Sequence, residues 1–213
     1  MSTQRNVAGA LPSAVSAGAP LPSLMTSTQR ARRERIIDSA LELLACTPYE
    51  KIQMREVAED AGVALGTLYR YFNSKEHLFA SVVVKWAARF DDRVHSRPLR
   101  GATNEERLVD VYSRAVRALQ RMPQFLPAIR VVGASEDPYA IESLAALDHL
   151  TETTYRRALD GIDEADGRLI IYSATMVMNG LLGRWMQGCA TIEQVYDDMR
   201  RAIHVIVGFS IDF

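Results

Sequence analysis

MREVAEDAGVALGTLYRYFNSKEHLF, residues 54–79, decides the fold. It reads as three helical pieces separated by two short breaks. In the first piece Val57 and Ala58 supply an inner face and Gly62 a stop. Only AGVAL lies between it and the next, LGTLYRYF, and so short a connection joins two helices at a steep angle. Leu68 and Phe72 stand four apart, so they share one side of the short helix and are expected to lock against Val57 and the helix upstream. Asn73 and Ser74 break it, with Ser74 placed to cap the next helix and His77 standing where a capping box has Glu or Gln. The pair is a helix-turn-helix.

Once Leu68 and Phe72 are assigned to a core, Gly66, Thr67, Tyr69, Arg70 and Tyr71 remain for other directions. Small residues at the start of the helix permit close approach to another surface. Thr67, Tyr69 and Lys75 carry hydroxyl and ammonium donors suited to phosphate oxygens, and Arg70 adds a guanidinium. From Gly62 to Lys75 there are two cations and no acid, whereas Glu56, Glu59 and Asp60 fall on the preceding helix. The second helix of the pair is therefore expected to enter a major groove.

Upstream, RARRERIIDSALELLACTPYE places Ile36, Ile37, Ala40, Leu43 and Leu44 at helical spacing, and Thr47, Pro48 and Tyr49 end that helix. Arg30, Arg32, Arg33 and Arg35 gather at its beginning, where cations oppose the macrodipole and cost a few tenths of a kcal/mol each. Two readings stand: a solvated charged end, or a group that faces something negative. The first 29 residues are rich in Ser, Ala, Gly, Pro and Thr and lack a continuous apolar run, so they read as a disordered tail. Met25 stands inside it as a second candidate start.

The span from about Arg33 to Val83 resembles the TetR family of bacterial repressors, through the pattern QMREVAEDAGVALGTLYRYFNSKEHLF. The resemblance implies that Arg55 contacts DNA from the start of the second helix. It implies that Leu65, Gly66 and Thr67 meet base edges or sugar, that Tyr69, Tyr71 and Lys75 grip phosphates, and that Arg70 bears on the choice of operator. Family members with a flexible arm ahead of the first helix cast Arg30, Arg32 and Arg33 as minor-groove contacts. Within the family, VALGTLYRYF and SKEHLF look like the actinobacterial repressors of cholesterol and steroid catabolism genes. That narrower likeness implies a small, largely apolar effector such as a steroid-derived coenzyme A thioester; a fatty acyl group or a drug is the alternative.

Downstream the chain stays helical. A fourth helix runs through VVVKWAARFDDRV and stops near Pro98 and Gly101; Thr103 then opens TNEERLVDVY with a capping box. Pro123 and Pro127 punctuate a short apolar stretch, and a long helix follows from about Pro138 to Leu159. The next, GRLIIYSATMVMNGLLGRWMQG, is apolar nearly all round, yet Arg168 and Arg184 bound it and Asn179 interrupts it, so it is read as buried. The last, from Thr191, aligns Ile192, Val195, Tyr196, Met199, Ile203 and Ile206.

The expected architecture is all-α with about nine helices: a tail at 1–27, a three-helix DNA-binding head at 28–75, and a body for effector binding and dimerisation at 76–213. The family likeness places effector contacts at Trp86, Phe90, Phe125, Ile129, Met176 and Asn179, and a homodimer on the last two helices through Met178, Leu182, Trp185, Tyr196, Met199 and Ile203. Each large apolar side chain in these sets could equally be ordinary core. Asn179 is more informative, since an amide in a buried helix needs partners. His149 and His204 show no metal spacing, and no cofactor or metal is expected.

At 213 residues and net charge -1, the chain is long enough for a substantial core and carries no overall basic excess. Cys46 and Cys189 are expected as buried free thiols. No apolar run is long enough to span a membrane. No GxSxG, phosphate loop or HExxH occurs, so the chain is not read as an enzyme. A cytoplasmic homodimer bound to a double-stranded operator is the expected partner set.

Overall fold

The computed structural model describes residues 25–209, of which the tail expected at 1–27 contributes only its end. Nine α-helices form among the described residues: α1 Ser27–Cys46, α2 Met54–Asp60, α3 Leu65–Tyr71, α4 Lys75–His95, α5 Asn104–Gln120, α6 Phe125–Gly133, α7 Pro138–Arg156, α8 Glu164–Met186 and α9 Ile192–Phe209. A single 3-10 turn, Tyr49–Lys51, bridges α1 and α2.

Helix starts follow side chains that satisfy the first free N–H groups. Thr26 and Gln29 form a reciprocal capping box ahead of α1, so residues 25–27 belong to the folded head; Met25 is buried. The expected boundary therefore moves upstream by a few residues. Thr103 and Glu106 form the box expected for α5. Ser74 caps α4 by accepting from the His77 amide, while His77 Nδ1 accepts from Asn73 N–H at 3.3 Å, one residue earlier than a box would reach. The short apolar stretch at Pro127 is itself a helix, α6, because proline there occupies a first-turn position with no intrahelical N–H to lose.

The α2–α3 turn is fixed by Gly62, whose φ of +64° is left-handed. Val63 N–H donates to Ala58 C=O at 2.9 Å and Gly62 N–H to Glu59 C=O at 3.1 Å, the paired bonds of a Schellman stop. That stop turns α3 across α2. Ile36, Ile37, Ala40 and Leu44 of α1, Val57 and Ala58 of α2, and Leu68 with Phe72 then close one core, each at most 2% exposed. A Leu68→Ala change would cost roughly 2–5 kcal/mol.

Helix α4 belongs to both halves. Its N-terminal turns carry Leu78 and Phe79 into the head core, and its later turns carry Phe90 and Val94 into the body. Helix α7 packs along it, α8 lies on α7, and α9 covers α8 and α5. The body's deepest side chains are Tyr112, Phe125, Leu108, Ile170 and Leu182.

Candidate nucleic-acid interface and effector cavity

Because Leu68 and Tyr71 are buried and Phe72 caps the helix inward, α3 turns its opposite side to solvent. Leu65 and Tyr69 are 38% and 46% exposed, Gly66 and Arg70 are exposed, and Thr67 is half-buried. A Cβ added at Gly66 would meet nothing, so the helix start has open space on its outer side. Arg55 stands on the surface of α2, where its Nε donates to Glu59 Oε1 at 2.8 Å between two widely exposed side chains. Such a pair contributes little and yields readily to a stronger anion. Glu59 holds the Arg55 guanidinium pKa above its ordinary value, so the charge is permanent.

Two side chains expected on the phosphates are placed elsewhere. Tyr71 is 3% exposed, and its hydroxyl meets no partner among the described residues. Three residues after Leu68, it lies on the same side of α3 and is drawn under the head with it. Lys75 is half-buried: its Nζ donates to the Tyr49 carbonyl at 2.5 Å and lies 4.2 Å from the centre of the Tyr49 ring. Burial depresses its pKa against the opposing pull of Glu76, Glu50 and Glu56. Lys75 thus fastens the 3-10 turn to α4.

The arginines of α1 divide as well. Arg30 and Arg32 fall within the first turns of α1 and Arg30 is exposed, so neither sits on a flexible arm. Arg33 is no arm residue at all. Its guanidinium lies 5.0 Å over the Phe72 ring and donates to Ser81 Oγ at 2.9 Å, joining α1 to α4. Burial lowers its pKa, with Glu34 pulling the other way.

Where α4 meets α7, Ser74 Oγ donates to Asp137 Oδ2, and the His77 ring stacks on Tyr139 with centres 5.0 Å apart. His77 is pushed down to about 4, first by burial and then by Arg33, with Asp137 opposing, so the ring is neutral at neutral pH. Further along, Thr154 Oγ1 of α7 donates to Asp91 Oδ1 of α4 at 2.8 Å.

Within the body, α4 to α8 enclose an apolar cavity of about 100 Å³. Trp86, Phe90, Phe125, Ile129 and Asn179, five of the six residues expected as effector contacts, line it. Trp86 is wedged between Phe90 and Phe125, at 6.0 and 4.7 Å between ring centres. The Asn179 amide has no hydrogen-bond partner among the described residues. Nearby, Tyr112 reaches Ile171 C=O and Thr175 Oγ1, both at 2.9 Å, which consumes its hydroxyl.

Met176 departs from the expected set: it is 47% exposed, on the outer side of α8, while Met178, assigned to the dimer, lines the cavity at 5% exposure. The two sit about 200° apart on a helical wheel, so an inward Met178 sends Met176 out. Leu182, Met199 and Ile203 are likewise buried within one protomer, each at most 3% exposed, and only Trp185 and Tyr196 of the expected dimer residues keep partial surface. Outward apolar residues of α8 instead include Leu169, Tyr172 and Met176. Their spacing of three and four was visible in the sequence, but α8 is apolar on both sides and its pattern did not say which side faced inward.

Gly183 also has a local reason. The Arg130 guanidinium occupies the space of its missing side chain, 1.9 Å from where Cβ would stand, whereas Gly180 is exposed with nothing nearby. Both cysteines are exposed rather than buried. His204 pairs with Glu105 at 3.1 Å on the surface, and no cluster among the described residues could hold a metal. No described helix is long and apolar enough to cross a membrane.

A helix-turn-helix head with an exposed, acid-free reading helix, joined through one long helix to a helical body with its own cavity, defines a DNA-binding transcriptional regulator. The chain belongs to the TetR family: residues 36–82 match the bacterial regulatory proteins of the tetR family, and residues 101–206 match the tetracyclin repressor-like C-terminal domain. It is similar to the HTH-type transcriptional repressor KstR of Mycolicibacterium smegmatis, 33% identical over 186 residues that cover 87% of this chain and 91% of that one. KstR of Mycobacterium tuberculosis is 32% identical, over 87% of this chain and 84% of the relative. A crystal structure of a TetR regulator from Rhodococcus sp. RHA1 superposes with a TM-score of 0.76 and 27% identity, covering 84% of this chain and 97% of that one. FadR of Bacillus subtilis, solved with stearoyl-CoA, shares the fold at a TM-score of 0.56 and 21% identity, over 82% of this chain and 97% of that one. The chain is a repressor of the TetR type and not an enzyme.

Proposed function

We propose that the protein binds a near-palindromic operator as a homodimer and is released from it by a largely apolar acyl effector, of the steroid-derived or fatty acyl thioester class. The exposed side of α3 carries the DNA half of this reading. Gly66 and Leu65 lie against base edges, Thr67 and Tyr69 donate to sugar and phosphate, and Arg55 and Arg70 supply permanent charge. Lys75 serves indirectly, by holding the 3-10 turn beneath α4.

The cavity carries the effector half, and its size sets the mechanism. About 100 Å³ is well below the roughly 300–1,000 Å³ of pockets that hold drug-sized ligands. A steroid or long acyl group enters only if the walls part. Since Val83, Trp86, Ala87 and Phe90 of one wall belong to α4, expansion displaces the helix whose other end is built into the head. The ligand shifts the operator equilibrium by the difference of its affinities for the closed and opened forms. The unpaired Asn179 amide is positioned to meet the effector's carbonyl.

Selection of bound duplexes from a random-sequence pool tests the DNA half. Enrichment of an inverted repeat with half-site centres about 34–36 Å apart, or a multiple of that spacing, is expected. Arg70→Ala should weaken binding and flatten the salt dependence of log K by about 2 per dimer. A pool that yields no repeat, or an unchanged salt slope, counts against the reading.

A further inference from the structure

Helices α1, α4 and α5 enclose a second, larger hollow of about 650 Å³, lined by seven arginines against three carboxylates. Those carboxylates are largely committed. Asp38 holds Lys85 at 2.9 Å and Arg89 at 2.6 Å, and Asp110 holds Arg114 at 2.6 Å and the Arg100 backbone N–H at 2.9 Å. Arg93, Arg97, Arg100, Arg117 and Arg121 are left with no ion pair among the described residues, in a chain whose net charge is -1.

The ends of α4 and α5 each favour cations singly, but together they crowd guanidinium groups around one hollow. Arg89 and Arg93 stand four apart on α4 with Arg97 two residues beyond its end, and Arg114 and Arg117 stand three apart on α5 with Arg121 as its C-cap. Like charges this close repel one another, and two such groups border one hollow. The guanidinium fork matches phosphate oxygens two at a time, so a multiply phosphorylated ligand reverses the sign of that interaction.

Trp86 and Phe90 line both this hollow and the apolar cavity, so the two spaces share a wall. We propose that the arginine-lined hollow is a binding site for a phosphorylated nucleotide group. Two sources carry that chemistry: the nucleotide handle of a thioester whose acyl part enters the apolar cavity, or a free nucleotide. The first source rests on the effector reading above; the second does not. With a thioester, the arginines around the hollow hold the handle while the acyl part presses on α4 past Trp86, so the anion site supplies affinity and the cavity supplies the displacement.

Isothermal titration calorimetry of the full chain with coenzyme A, ATP, adenosine, palmitate and palmitoyl-CoA tests this. Coenzyme A and ATP should bind, adenosine should not, and raising salt from about 50 to about 300 mM should weaken both phosphorylated probes. The Arg117→Ala/Arg121→Ala double variant changes only exposed residues and should lose about tenfold or more in affinity for coenzyme A. Arg93→Glu, on the facing helix, gives an independent reading of the same loss. Palmitoyl-CoA binding about tenfold tighter than either coenzyme A or ATP identifies the handle as the source, and ATP binding as tightly as palmitoyl-CoA identifies a free nucleotide. The proposal is overturned by silent phosphorylated probes, by adenosine binding as well as ATP, or by arginine variants that titrate like the wild type; palmitate matching palmitoyl-CoA rules out the thioester handle as the source. Operator binding measured on the same preparations separates the two claims: a complex that ignores palmitoyl-CoA while coenzyme A still binds removes the effector reading and leaves the anion site.

Discussion

At the scale of single residues, Tyr71 shows how a motif and a burial pattern part company. The string LYRYF offers two tyrosines beside an arginine, and resemblance puts both on phosphates. Leu68 is the anchor that decides between them, because a residue three further on shares its face and a residue one further on does not. Tyr69 is accordingly 46% exposed and Tyr71 is 3% exposed. The buried hydroxyl finds no partner among the described residues, and an unmet buried donor costs about 1–3 kcal/mol. Tyr71→Phe is therefore expected to leave stability unchanged or raise it by about 1 kcal/mol, and to leave operator affinity within about twofold. Denaturant unfolding and an operator titration read both, and a large loss of affinity with unchanged stability would restore the phosphate role. Lys75 and Arg33 teach a similar lesson. Their charge was legible in the sequence, but their destinations, the Tyr49 carbonyl and the Phe72 ring, depend on segments 26 and 39 residues away.

At the scale of elements, helix starts and the turn between α2 and α3 were legible because each is set by local chemistry: the Thr103 box, the Ser74 cap, the Gly62 stop. The two sides of α8 were not. Ile170, Ile171, Ala174, Met178 and Leu182 face the protomer, while Leu169, Tyr172 and Met176 face out with comparable apolarity. A local pattern cannot rank two apolar sides; only the positions of α7 and α9 do so. Exposed apolar surface of this kind on a long helix fits a symmetric pairing with a second copy. If it does pair, Tyr172→Glu combined with Met176→Glu places charges in that contact without touching the core. The double variant should run as a folded monomer in light scattering, with helical content intact. Its operator affinity should fall by about a hundredfold or more, since the second half-site is no longer held at high effective concentration. A dimer that survives both changes would move the interface off this side of α8. Leu182→Glu, by contrast, buries an unpaired carboxylate and should unfold the body, which separates loss of pairing from loss of fold.

At the scale of the whole molecule, head and body are joined by one rod clamped by a second. Helix α7 grips α4 near its start, through Ser74 with Asp137 and His77 with Tyr139, and again further along through Thr154 with Asp91. Between these grips lie Val83, Trp86 and Phe90, the α4 residues that wall the apolar cavity. On the proposed mechanism, a ligand that parts the walls loads a beam held at both sides, and the displacement is expected to reach the head only while the upper grip holds. Ser74→Gly tests this cleanly, because glycine is tolerated at a helix N-cap for a few tenths of a kcal/mol, whereas it has no oxygen to offer Asp137. Asp137 keeps its own capping bonds to the Tyr139 and Ala140 amides through the other oxygen. The variant should fold and bind operator, yet the ratio of operator affinities without and with palmitoyl-CoA should shrink toward one. A coupling of typical size, about 5–150-fold, leaves ample room to see that change. If the ratio in Ser74→Gly equals that of the wild type, the Ser74–Asp137 bond does not carry the signal, and the His77–Tyr139 stack, the Arg33 contacts with Phe72 and Ser81, and the Asp38 pairs with Lys85 and Arg89 are the next links to test.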